Sequence, residues 1–172
     1  MSKGILDHPG EDNQASVNLV GRVVLFAGIL LGTVNFGVDF GLSVLNVSPN
    51  LMRQAALGAF LFLTWLAVSS GLRAVDKLQP GIAVGWLFIT GMGIGLWGQV
   101  VFALARWAKA VVREEGISFA FFLLPGLLPS LAVSLLVAVL TAITLRVESK
   151  LLATLLRILI FGLIVLFIYL WL

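Results

Sequence analysis

Residues 117–145 read ISFAFFLLPGLLPSLAVSLLVAVLTAITL, without one charged side chain. A helix of about 20 mostly apolar residues crosses about 30 Å of hydrocarbon, so this stretch is long enough to span a bilayer. It is far too long for a strand and does not alternate with period two, which excludes a β-barrel. Four further stretches, 21–47, 54–73, 81–105 and 151–172, reach or approach the same length. The expected fold class is therefore all-α: a polytopic transmembrane helical bundle of five spans. It forms one domain over 17–172 behind a polar N-terminal tail, 1–16.

Composition agrees. Of the 172 residues 60% are apolar and 11% charged, whereas a soluble domain is about 45–50% apolar and about 25% charged. So few charges cannot coat a soluble surface, and a soluble enzyme is excluded. There is no cysteine, which removes disulfides, thiolate metal sites, iron–sulfur clusters and cysteine nucleophiles. The one histidine, His8, stands outside every apolar run. No metal and no cofactor is expected, and an enzyme is not.

Short links, Ser48–Arg53, Arg73–Pro80 and Arg146–Lys150, force consecutive spans to run antiparallel and side by side. Arg106–Gly116 reads instead as a helical continuation of the third span, ended by Gly116. The tail is slightly acidic and the first apolar run too long for a signal peptide, so the first span is expected to remain as an anchor. Orientation follows Lys and Arg. Lys3, Arg22, Arg73, Lys77, Arg146, Lys150 and Arg157 gather on one side, against Arg53, Arg106, Lys109 and Arg113 on the other. A bacterial inner (cytoplasmic) membrane with the N-terminus inside and the C-terminus outside is the expected setting.

Asp39 is the one acid inside an apolar run. An intramembrane carboxylate is a functional candidate, yet Asp39 lies about 25 Å beyond Arg22 along a helix, near the far boundary. With Asn35 one turn away on the same face, two readings stay open. One is a proton or ion site, the other an interfacial acid paired with a base such as Arg53 or Arg106. Arg157 sits low in the fifth span and reads as a snorkelling anchor.

Gly91, Gly95 and Gly98 make a stripe on the third span, and Gly28 and Gly32 another on the first, continued by Gly37 and Gly41. Such stripes let helix backbones approach closely. No strand precedes them and no Lys-Ser/Thr follows, so phosphate-loop readings fail. Pro125 and Pro129 must kink or start the fourth helix, beside a small-residue face of Ser130, Ser134, Ala138 and Thr141. A transporter built on that break would want a matching break elsewhere, and there is none. Arg106, Lys109 and Arg113 form a basic stripe suited to lipid headgroups or an acidic partner surface. So few bases exclude nucleic acid. Trp86, Trp97 and Gln99 would suit a quinone, and equally an ordinary bundle interior.

Ser70-Gly71-Leu72-Arg73 closing one span, Phe88-Ile89-Thr90-Gly91-Met92-Gly93 in the next, Phe121-Phe122-Leu123-Leu124-Pro125 entering an uncharged span and Leu145-Arg146 closing it carry a likeness. Over about residues 20–150 the chain resembles a family of small four-span bacterial membrane proteins of unknown function. That family has a long polar segment before its last span, reduced here to Ala108–Gly116, and lacks the fifth span. The resemblance implies a bundle and brings no catalytic residues. The expected role is a non-catalytic accessory or scaffold subunit, packing with membrane lipids and other integral membrane subunits of a respiratory or other energy-converting complex. The alternative is a small stand-alone ion or solute transporter using Asp39 and the Pro125–Pro129 break.

Overall fold

Helix breakers divide the chain into α1 (Pro9–Val44), α2 (Pro49–Leu78), α3 (Val84–Val112) and α4 (Phe119–Arg146). The computed structural model describes residues 9–45, 48–147, 149, 151, 152, 154–156, 158, 159 and 162, with side chains from Ser16 onward. All four helices are long and apolar enough to cross a membrane, and no strand occurs among the described residues. The chain is an all-α, membrane-spanning bundle. Among the described residues it has four such helices rather than five. The expected fifth span, 151–172, lies largely outside them, and Arg157 with it.

Several boundaries differ from the sequence reading, each for a local reason. α1 starts at Pro9, inside the expected polar tail, because proline suits the first turn of a helix. Pro49 likewise opens α2 behind Ser48. The expected link from Arg73 is helical as far as Leu78, since nothing before Pro80 breaks a helix. The turn comes at Gln79-Pro80-Gly81-Ile82, where the Ile82 N–H donates to the Gln79 carbonyl at 3.2 Å. Gly81 takes φ +83°, as the third position of a type II turn requires. α3 ends at Val112, short of Gly116. The Glu114 and Glu115 N–H groups bond back to the Val111 and Ala110 carbonyls, a Schellman closure. It puts Glu114 at φ 59°, the left-handed position that glycine usually fills.

In cross-section the helices form a rhombus. α2 and α3 each touch all three others, while α1 and α4 make no contact among the described residues. The most extensive seam joins α1 to α3. A Cβ on Gly32 would stand 2.5 Å from the Gly98 carbonyl oxygen, and one on Gly28 2.6 Å from Trp97 Cδ1. The stripe on α3 serves two helices. Gly91 and Gly95 meet α4, where a Cβ would come within 2.5 Å of the Ala138 and Ser134 Cβ atoms respectively. Gly98, three residues on and hence about 60° round the helix from Gly95, meets Leu31 of α1 instead. Nothing lies within 4 Å of a Cβ on Gly37 or Gly41. α4 runs without interruption through Pro125 and Pro129 from Phe119, so neither proline starts it.

Gly32 separates from Gly37 experimentally. Gly32→Ala drives a methyl group against backbone, which cannot move aside, and should destabilise the bundle by about 1–3 kcal/mol as overpacking does. Gly37→Ala should be neutral or better. Thermal unfolding of both variants in mild detergent checks the difference.

Candidate functional site

A crevice of about 70 Å³ lies among all four helices. Its polar wall consists of Asn35 and Asp39 from α1, Gln99 from α3 and Ser130 from α4. Helix geometry accounts for the grouping. Asn35 and Asp39 are one turn apart on α1, and Gly95 and Gly98 leave room beside Gln99 on α3. Ala56 and Phe60 of α2 and Phe102 of α3 supply apolar wall.

Gln99 lies one residue past the midpoint of α3 and is buried. Its Nε2 donates to the Phe122 carbonyl at 3.3 Å, and its Oε1 accepts from Ser130 Oγ at 3.4 Å. Ser134 Oγ donates in turn to the Ser130 carbonyl at 2.5 Å. Pro125 has no N–H, which leaves the Phe121 carbonyl four residues back without its helical donor. The Gln99 amide bonds the next carbonyl, that of Phe122, and so ties α3 to this turn of α4. Gly126 is the neighbour that makes room, because a Cβ at that position would collide with the Gln99 amide.

At the mouth Arg106 Nε stands 3.6 Å from Asp39 Oδ2, with the two side chains 43% and 29% exposed. That separation exceeds a charge-assisted hydrogen bond, and partial exposure holds such a pair to about 1 kcal/mol or less. The guanidinium also lies 5.4 Å from the Phe122 ring centroid and 5.8 Å from that of Phe102. The basic stripe is thus divided in its engagements. Lys109 Nζ sits 4.8 Å from the centroid of Phe40, and Arg113 Nη1 faces Glu115 Oε1 at 3.9 Å.

The other end of the bundle carries a cluster that the sequence reading missed. Arg146 Nη2 donates to the Ile82 carbonyl at 2.5 Å and stands 3.2 Å from Asp76 Oδ1, without hydrogen-bond alignment. Ser16 Oγ donates to Gln79 Oε1 at 3.0 Å. Asp76 looked like a loop charge because the link was placed from Arg73. The signal available was the absence of any breaker before Pro80, which carries Asp76 onto a helix. Trp86 belongs to this end and Gln99 to the crevice, so the residues considered for a quinone are divided between two places.

Gln99→Leu keeps volume and removes both of its inter-helix hydrogen bonds. Such bonds average about 0.6 kcal/mol in membrane proteins, so a loss of about 1–2 kcal/mol is expected. Ser130→Ala, which removes one of them, should lose less. Unfolding in mixed micelles with increasing dodecyl sulfate measures both.

Compared with protein-family models, curated proteins and solved structures, the chain matches none of them.

Proposed function

We propose that the chain is a non-catalytic accessory or scaffold subunit of a larger membrane complex, set in the bacterial cytoplasmic membrane. The observation that carries this reading is an unevenly covered bundle. Residues 49–63 of α2 and 119–129 of α4 include no buried residue, and Phe62, Phe121 and Leu128 on them are 58%, 65% and 76% exposed. Another integral membrane subunit would complete those flanks. Gln99, Ser130 and Ser134 are at the same time hydrogen-bonded to one another or to the backbone, as a part built to hold shape requires. The basic residues near the Asp39 end suit lipid headgroups or acidic partner residues in such an assembly.

A second reading, a small ion transporter, draws on one observation: Asp39, Asn35, Gln99 and Ser130 share a crevice. Its volume of about 70 Å³ suits a few waters or an ion rather than a sugar-sized solute.

Two measurements decide between these. Purified in mild detergent, the chain should migrate well above its own mass and carry the same integral membrane proteins in repeated preparations. A monodisperse chain alone would sink the scaffold reading. Asp39→Asn should cost at most about 1 kcal/mol and leave that assembly intact. Ion flux into sealed vesicles that is lost in Asp39→Asn, with folding unchanged, would put the transporter first.

A further inference from the structure

The two ends of the bundle are packed differently. Every buried residue of α2 lies from Thr64 to Val75, and every one of α4 from Ser130 to Ala142. α1 has none between Gly32 and its end at Val44. The uncovered segments of these three helices lie at the end marked by Asp39 and Arg106, where α3 keeps two buried residues, Ala103 and Ala110. The crevice lies between that end and mid-bundle. All four helices line it. Towards the Asp76–Arg146 end, the fully buried side chains of Val68, Leu72, Leu87 and Ile94 close the interior.

We propose that the crevice is a one-sided aqueous vestibule. It is a site for a small group of waters, reaching from the Asp39–Arg106 end to Gln99 and Ser130 at mid-bundle and stopping there. A volume of about 70 Å³ accommodates a few waters, and a stable buried water needs about 2–4 polar partners. Asn35, Asp39, Gln99 and Ser130 supply them from three helices. A primary amide has two donor hydrogens and two acceptor lone pairs. Gln99 gives one bond of each kind to the protein and keeps capacity for water. The Thr64 hydroxyl, just below the crevice wall, is fully buried with no hydrogen-bond partner. It lies one turn along α2 from Phe60 on the crevice wall. The end of an acyl chain would satisfy none of these groups, and leaving them unpaired in hydrocarbon is costly. The dry layer of Val68, Leu72, Leu87 and Ile94 offers water no partner, so the vestibule ends above it.

The chain has no cysteine, so single-cysteine variants report without background. In sealed vesicles, Ala56→Cys on the crevice wall should react with a membrane-impermeant thiol reagent from one side only. Val137→Cys, in the closed half and 3% exposed, should react only after denaturation in dodecyl sulfate. With a nitroxide attached, Ala56→Cys should be relaxed several-fold more by a water-soluble nickel complex than Leu57→Cys, whose side chain faces outward at 45% exposure. Phe60→Cys repeats the measurement from a second wall position. Wall cysteines unreactive from either side, or relaxed by oxygen and not by nickel, would mean an acyl chain or a partner fills the crevice. Reaction from both sides would mean a through-passage. Each of these results overturns the vestibule.

Discussion

In a bilayer no hydrophobic gain presses one helix against another, because lipid tails are as apolar as leucine. Association rests on how closely backbones approach and on the few polar bonds between them. Here α3 provides that approach. Gly91 and Gly95 admit α4, Gly98 admits Leu31 of α1, and Gly32 on α1 meets the Gly98 carbonyl. α1 and α4 therefore reach a common neighbour without touching each other. Glycine weakens a helix in water by about 1 kcal/mol relative to alanine, a penalty that close packing on two sides offsets.

The polar groups follow from that geometry. Because Gly126 removes bulk beside it, the Gln99 amide reaches across to the Phe122 carbonyl of α4, one residue past the carbonyl that Pro125 leaves without a donor. A proline in a membrane helix and a glutamine in the middle of its neighbour each look unfavourable alone. The glutamine finds its partners on α4, the Phe122 carbonyl and the Ser130 hydroxyl. Near the ends, where water screens charge, carboxylates appear instead: Asp39 facing Arg106, and Asp76 facing Arg146. The second pair ties α2 to α4, and through the Ile82 carbonyl to the turn before α3. That fastening lies on the half where the apolar interior is continuous. The half around Asp39 has a carboxylate, two amides and a serine, and there a crevice lies among the helices.

The helical class and the segmentation were legible in the residues, because each depends on local chemistry. An uncharged run such as 117–145 can satisfy its backbone in hydrocarbon only as a helix or a closed barrel, and its pattern excludes the barrel. Pro49 and Pro80-Gly81 mark breaks through steric effects that act within a turn. The site was legible in part. Asp39, Asn35, Gln99 and Ser130 each stand out as polar groups in apolar spans, and Arg106 as one of two bases at the level of Asp39. Asp76 does not, since it falls between apolar runs and only the continuation of α2 to Leu78 brings it to Arg146.

Only the tertiary structure decided which of these residues meet. Gln99 and Ser130 are on different helices, as are Asp76 and Arg146, and their encounter depends on the rotation and height of one helix against another. No local periodicity encodes that. The same reason explains why Gly28 and Gly32 became packing positions while Gly37 and Gly41, spaced identically on the same helix, did not. A glycine pair permits a close approach, but the path of the neighbouring helix determines whether one occurs.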